Sequence, residues 1–333
     1  MKRWLPILIA AVAAVALIFF ALGDGATAAR AWLCAFVLIS MIPIGSLALL
    51  LVNGISGGRW GEDFAAVLVP AARSIPLLFI AFLPVMIFRP LIYHWSALGL
   101  PHDVTRFYLD PLFFDARTLI GLLVWTVLAW TAAWRNPTYA MAGIAAHLII
   151  ITFLPADWVL TIAPGSVSAG FGLGFGIEQM FAALAFTAIL APQAPGRPNR
   201  DLAGIMLTTL LGTVYFFYMA FIITWYGNIP AKVHWYAVRA GDGWALEMLA
   251  AFLLGAALPF LAILSPAVRR EPSLLRIVGA FVLAGIALHI AWMIVPVFGA
   301  VTIIPAILAG LVIALALWSV RGNLAVFGGV HGR

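Results

Sequence analysis

Ten long apolar stretches, separated by short segments rich in Gly, Pro or charge, dominate this sequence of 333 residues. A helix needs about 20 apolar residues to cross the hydrocarbon core of a bilayer, so ten helices take up about 200 residues. Hydrophobic residues make up 65% of the chain and charged residues 9%, against about 25% charged in soluble domains. The sequence therefore predicts an all-α polytopic integral membrane protein with about ten transmembrane helices.

The apolar stretches place the predicted helices along the chain. They are Trp4–Leu22, Ala31–Val52, Phe64–Phe88, Leu119–Trp134, Tyr139–Leu154, Ser168–Ala191, Leu202–Trp225, Trp244–Leu264, Leu274–Val295 and Val301–Val320. The fourth and fifth stretches are short for a crossing, and we expect their flanks to lengthen them. We predict one transmembrane domain over residues 1–333, with a flanking helix in 1–30 and a last helix and tail in 297–333.

The N-terminal segment has some features of a secretory signal. Lys2 and Arg3 precede the first apolar stretch, and small residues follow it, as in a signal peptide with a cleavage site. The apolar stretch is longer than the roughly 7–15 residues of a typical signal. We therefore favour a retained first helix over cleavage.

The distribution of basic residues predicts the orientation in the membrane. With ten spans, 11 of the 18 Lys and Arg residues fall on the side of the two termini, six fall on the opposite side, and Arg73 lies within a span. The positive-inside rule then places both termini in the cytoplasm, and we expect the bacterial inner membrane. The basic residues stand singly in the loops, so nucleic-acid binding is not expected.

Cysteine usage excludes several kinds of site. Cys34 is the single cysteine, so the chain cannot form an internal disulfide, a cysteine zinc site or an iron–sulfur cluster of its own. A Cys-x-x-Cys-His sequence is absent too, which excludes covalent haem attachment. We expect no metal and no covalently bound cofactor.

Ionisable residues inside the predicted spans are the first candidates for function, because charge is costly in hydrocarbon. Arg73 lies among prolines in the third span, where it either reaches the nearby cytoplasmic interface or lines a polar half-channel. Glu178 follows a glycine-rich run in the sixth span, where the lack of side chains permits close approach of helices, and it is a proton-relay candidate or a hydrogen-bonded core acid. With Asp157 and His147, these residues form a candidate proton path.

Two histidines lie within spans, His147 in the fifth and His289 in the ninth. A pair of intramembrane histidines could ligate one haem, but hydrogen-bonded core histidines or a quinone or proton contact fit the pattern better. Asp157 and Trp158 follow Pro155 in a predicted short hinge at the outer surface, which could present a quinone site or form a helix–helix corner. Hydrolase and Walker motifs do not occur.

Several polar and aromatic motifs occur along the chain, most of them in the predicted loops and hinge and the last of them within the eighth span. They are Asn53–Trp60, Tyr93–Trp95, Phe107–Arg117, Asp157-Trp158 with Pro164 and Phe171-Gly172, Gly227-Asn-Ile-Pro230 with Trp235, Tyr236 and Arg239, and Leu258-Pro-Phe260. In kind and order they resemble the second quinone-binding-type membrane subunit of bacterial alternative complex III, a quinol:cytochrome c oxidoreductase. That subunit belongs to the polysulfide-reductase (NrfD) membrane family, and the resemblance covers residues 31–296.

The resemblance implies two four-helix bundles with flanking helices and no redox cofactor within the chain. It implies quinol binding or proton translocation beside an iron–sulfur subunit, a multihaem cytochrome c subunit and a paralogous membrane subunit. By this resemblance Asp157, Trp158 and Arg117 match family positions, and with His289 they are our candidate quinone contacts. Apart from the resemblance, the two long loops, Arg89–Arg117 and Tyr226–Gly243, mix aromatic residues with charge, so we expect them to dock an extramembrane partner or else to cap the bundle.

Departures from the family pattern leave other functions open. Ala231 and Lys232 replace acidic residues after the Asn-Ile-Pro motif, and Gly255 and Ala256 replace a His-Phe pair. A ten-helix secondary transporter with helices broken by Pro and Gly is the main alternative. An inactive scaffold subunit of a respiratory complex is another.

Overall fold

The computed structural model describes residues 5–97, 107–163, 168–191, 196–228, 230–241 and 243–326. The predicted residues Trp4 and Pro164 and part of the first long loop lie outside these ranges. Every regular element in the described ranges is a helix, and eight helices are long and apolar enough to cross a membrane. These are α2 (Gly25–Ser56), α3 (Trp60–Ile87), α4 (Pro111–Trp130), α5 (Pro137–Ile162), α6 (Phe171–Leu190), α7 (Arg197–Gly227), α8 (Trp244–Leu264) and α9 (Pro272–Phe298).

The all-α membrane fold predicted from the sequence is confirmed, and α4 and α5 are longer than their apolar stretches, as expected. Two further helices, α1 (Leu5–Gly23) and α10 (Ile303–Val326), cover the first and last stretches. Their described apolar portions are Ala11–Gly23 and Ala300–Leu315. A crossing by α1 and α10, and so the count of ten, stays a prediction.

The long helices form two groups of four. Helices α2 to α5 pack together, as do α6 to α9, and α2 packs along α6 where the two groups meet. At this contact the Cβ of an alanine at Gly45 would lie 1.9 Å from the carbonyl oxygen of Gln179. The absence of a side chain at Gly45 therefore allows the two bundles to come into direct contact. Helices α1 and α10 pack against α2 at the side.

Three of the helices begin at a residue whose side chain caps the helix N-terminus. Asp24 accepts hydrogen bonds from the backbone and hydroxyl of Thr27 at the start of α2. Asp110 and Asn136 cap α4 and α5 in the same way, and each is followed by a proline at the first helical position. Capping side chains satisfy backbone donors that a helix leaves free, and proline has no donor to lose there.

Two spans are irregular. Helix α3 consists of Trp60–Arg73 and Leu77–Ile87, with turns between them, because Pro76 has no N–H to continue the helix. Helix α8 contains a π-helical turn at Leu253–Ala257, immediately before Pro259. Such wide turns inside α-helices frequently occur at functional sites.

The predicted hinge at Asp157 and Trp158 is wrong, because both residues lie within α5, which continues as α-helix to Val159. Pro155 is inside the helix and leaves the carbonyl of Ile151 without its usual donor. Helix α6 packs against that point, where a Cβ at Gly172 would lie 2.1 Å from the Ile151 oxygen. Packing against α6 thus accommodates a proline that the sequence alone suggested would end the helix.

Candidate functional site

A run of glycines in α6 sets the position of the candidate site. Gly172 and Gly176 contact Ile151 of α5, and Gly174 contacts Phe216 of α7. Without side chains at these places, α6 lies close to both neighbours, as the sequence predicted. Glu178 follows one turn later and is 1% exposed, so its carboxyl group is held between the packed helices.

Glu178 forms a hydrogen bond with His289 of α9. The distance between Glu178 Oε1 and His289 Nδ1 is 2.6 Å, and both side chains are buried. A bond between these two atoms requires one proton, donated either by the imidazole N–H or by the carboxyl O–H. The pair can therefore accept or release a proton without leaving two unpaired groups in the bilayer.

Aromatic rings enclose His289. The ring of Phe217 from α7 meets it edge-on at 4.6 Å, and Trp292, one turn along α9, stacks on it at 6.3 Å. Two buried atoms here, Glu178 Oε2 and Trp292 Nε1, have no hydrogen-bond partner in the described structure. Buried polar groups are usually paired, so these two atoms indicate capacity for a further hydrogen-bonding group.

A cavity of about 760 Å³ lies beside the Glu178–His289 pair. Helices α6, α7, α8 and α9 contribute its wall, which is mostly aliphatic and aromatic. The buried residues of α7 all precede Leu211, so the second half of this helix stands away from the bundle core. The cavity therefore extends between α7 and its neighbours towards the lipid.

Small residues allow the cavity to form. Gly255 and Ala256 of the π-helical turn contribute to the wall, as does Gly285 of α9. A Cβ at Gly285 would lie 2.2 Å from the Cα of Gly255, so the α8 and α9 backbones cross in direct contact. The sequence departure at Gly255 and Ala256 is thus part of the cavity wall.

A short helix, Pro230–Ala237, contributes to one end of the cavity. Its residues Lys232, Trp235 and Tyr236 belong to the wall. Burial raises the pKa of Tyr236, and the charge of Arg239 partly opposes that effect. The Tyr236 hydroxyl therefore stays protonated at neutral pH and can donate a hydrogen bond.

The predicted contacts Asp157 and Arg117 lie in the first bundle, away from this cavity. Arg117 Nε donates to Asp157 Oδ2 at 2.8 Å, its Nη2 donates to Asp157 Oδ1 at 3.1 Å, and the Tyr108 hydroxyl donates to Oδ1 at 2.9 Å. Burial and the neighbouring Asp157 raise the pKa of Tyr108, so it remains a donor. Both carboxylate oxygens of Asp157 therefore accept hydrogen bonds from within the protein.

Three other predicted residues also lie apart from the cavity. The indole N–H of Trp158 donates to Thr118 Oγ1 at 3.2 Å, and Trp125 donates to His147 Nδ1 at 3.1 Å. We expected Arg73 near the cytoplasmic end of its span. It lies instead at the middle of the 28-residue α3, as the last residue of the 14-residue segment Trp60–Arg73. The difference arises because α3 starts earlier than its apolar stretch. The roles of His147 and Arg73 on a proton path, and that of Trp158 as a quinone contact, stay predictions.

Among the predicted residues, the structure brings together Glu178 with His289 at the cavity and Asp157 with Arg117 away from it. Sequence reasoning missed Phe217, Trp292 and Gly285, although a tryptophan three residues after His289 and inside a span, rather than at its end, was a usable signal. In the described ranges, groups of three or more His, Cys, Asp or Glu side chains suited to a metal do not occur. Neither the models of known protein families nor the curated proteins match this chain.

Proposed function

We propose that the chain is a non-haem membrane subunit of a quinol oxidoreductase complex and that quinol binds in the cavity beside Glu178 and His289. The observation that carries this proposal is a buried carboxyl–imidazole pair in the wall of an apolar cavity among membrane-spanning helices. Charged or titratable groups inside a membrane are by default functional. A pair that can exchange one proton suits a substrate that loses protons when it is oxidised.

The cavity fits a quinol in size and in chemistry. Ligand pockets are typically about 300–1,000 Å³, apolar, and equipped with a few polar groups. The rings of Phe217 and Trp292 offer surfaces for an aromatic head group. Glu178 Oε2 can accept a hydrogen bond from a quinol hydroxyl, and Trp292 Nε1 can donate a hydrogen bond to a quinol oxygen.

Access from the lipid suits a ligand that is dissolved in the membrane. The second half of α7 has no buried residue and includes the exposed cavity residues Tyr215, Tyr218 and Ile223. A quinol with a long apolar tail could place its ring in the cavity while the tail remains among the acyl chains. A water-soluble ligand would gain nothing from such an opening.

Oxidation of a quinol to a quinone releases two protons and two electrons. In this proposal the Glu178–His289 pair receives the two ring-hydroxyl protons one after the other, and it passes the first proton on to water before it takes the second. The electrons pass to a partner, for which we propose the iron–sulfur and multihaem cytochrome c subunits implied by the resemblance, assembled with a paralogous membrane subunit in the bacterial inner membrane. Proton translocation by the same pair is the related possibility.

Equilibrium binding to the full chain in lipid nanodiscs tests the proposal. A quinol with a ten-carbon alkyl tail should bind saturably to the wild type. Glu178→Gln and His289→Gln should each weaken binding by about tenfold to a hundredfold, because a hydrogen bond to a charged group contributes about 1.5–3 kcal/mol.

The control is Glu247→Gln, which changes a carboxyl group at the start of α8 outside the cavity wall. It should leave the quinol affinity within twofold of the wild type. Absence of saturable quinol binding to the wild type would refute the proposal, as would equal losses in all three variants.

A secondary transporter is the second candidate, and the break in α3 favours it. Arg73 ends the first part of α3, is 8% exposed, and its Nε and Nη1 have no hydrogen-bond partner among the described residues. Broken helices with buried charge are typical of transporter binding sites. Uptake of an anion into liposomes by the purified chain alone, lost in Arg73→Gln, would favour this function over the first.

A further inference from the structure

The short helix Pro230–Ala237 lies in the segment that connects α7 with α8, and the described ends of this segment have unusual backbone conformations. Asn228 precedes it with a φ of 41°, and Gly243 follows it with a φ of 85°. Positive φ angles turn the chain sharply and are typical of Gly and Asn. Within this segment, Lys232, Trp235 and Tyr236 contribute to the cavity wall.

One side chain, Arg239, ties this segment to α9. Arg239 as a whole is 1% exposed. Nη2 donates to the carbonyl of Met293 at 2.6 Å, Nε donates to that of Trp292 at 3.2 Å, and Nη1 donates to the carbonyl of Trp235 at 2.7 Å. The guanidinium group stacks on the Trp235 ring, 3.3 Å from its centroid.

The sequence of α9 explains why a carbonyl is available for Arg239. Pro296 lies inside this helix and has no N–H, so it cannot bond to the carbonyl four residues earlier, which is that of Trp292. Arg239 supplies the absent donor. The arginine thereby fixes the part of α9 that holds Trp292 against His289.

We propose that residues 230–241 form a lid over the cavity and that Arg239 is the positioning residue that keeps it closed. A planar guanidinium with several donors can bind three carbonyl groups and one ring at once, which lysine cannot. The hydrogen bond between Glu178 and His289 uses none of these contacts, so it does not itself hold the lid closed. The lid is inferred from geometry alone and does not depend on the identity of the ligand.

Cysteine labelling tests the lid directly, because the chain has one native cysteine, Cys34, which is buried. A Thr213→Cys substitution in a Cys34→Ser background places a thiol in the cavity wall. Its rate of reaction with a water-soluble maleimide is measured on the full chain in nanodiscs. Arg239→Gln and Arg239→Lys should each raise this rate about tenfold or more, whereas His234→Gln, an exposed change on the same helix, should not.

Two measurements keep the outcome decisive. In the first, the maleimide is applied to a chain that carries Arg239→Gln and keeps the native Cys34. Labelling of the buried Cys34 would report global unfolding, and we expect this thiol to stay unreactive. Equal rates at Thr213→Cys with and without Arg239 would overturn the lid, even if quinol binding is demonstrated. Faster labelling without any quinol binding would uphold the lid while the proposed function fails.

Discussion

At the scale of single residues, the buried ionisable groups are of two kinds. In one kind every polar side-chain atom has a hydrogen-bond partner within the described structure, and in the other kind at least one atom has none. Asp157 belongs to the first kind, since Arg117 and Tyr108 use both its oxygens. Glu178 belongs to the second, since its Oε2 has no partner in the described structure. A fully satisfied group stabilises a fold, whereas a group with spare hydrogen-bonding capacity is available to a ligand.

We predict that the Asp157–Arg117 ion pair contributes to the stability of the fold and not to quinol binding. Arg117→Met leaves the buried Asp157 carboxylate without its partner and should lower the free energy of unfolding by about 3–5 kcal/mol. Thermal unfolding in detergent measures the change. The double variant Arg117→Met/Asp157→Leu should recover part of the loss, because no unpaired charge remains.

The control for this prediction is Arg200→Met, which alters an exposed arginine and should change stability by less than about 0.5 kcal/mol. An Arg117→Met variant that keeps its stability but loses quinol binding would contradict the structural role. It would restore Asp157 and Arg117 as quinone contacts.

The sequence identified Glu178 and His289 separately but could not pair them. An acid or a histidine inside an apolar stretch is conspicuous because burial in lipid is costly. The two residues stand 111 positions apart, and their contact depends on how α6 packs against α9. Asp157 was predicted in the wrong kind of element for a related reason, since the packing of α6 permits Pro155 within α5.

At the scale of helices, small residues decide how closely the spans approach. Gly285 of α9 and Gly255 of α8 bring the two backbones into contact beside the cavity. The π-helical turn at Leu253–Ala257 lies at the same level. The sequence predicted close packing from the glycine run of α6, but it gave no indication of the π-helical turn.

The crossing of α8 and α9 can be tested with one methyl group. Gly285→Ala places a Cβ 2.2 Å from backbone atoms of Gly255, so the two helices must move apart. We expect a loss of about 1–3 kcal/mol in the free energy of unfolding, measured by thermal unfolding in detergent.

A matched alanine substitution is available on α7. A Cβ added at Gly204 would have no neighbouring atom within 4 Å, so Gly204→Ala should leave stability unchanged or raise it by up to about 1 kcal/mol. If Gly285→Ala is as stable as Gly204→Ala, the close crossing beside the cavity is wrong.

At the scale of the whole molecule, the two bundles differ in burial, because α7 and α8 of the second bundle are the least buried of the eight long helices. The first contains the satisfied Asp157–Arg117 pair, and the second contains the cavity and an α7 whose second half is not buried. Composition and apolar periodicity were sufficient to predict the helical membrane fold, because lipid imposes length and polarity on every span. They could not predict which helices are least buried, since that depends on side-chain contacts between distant spans.

Photo-crosslinking with an azido-quinone bound to the full chain in lipid nanodiscs tests the central claim most directly. The account predicts labelled peptides from the second half of α7 and from α9 around His289, with labelling reduced in Glu178→Gln. Labelling confined to the first bundle around Asp157 and Trp158 would contradict it.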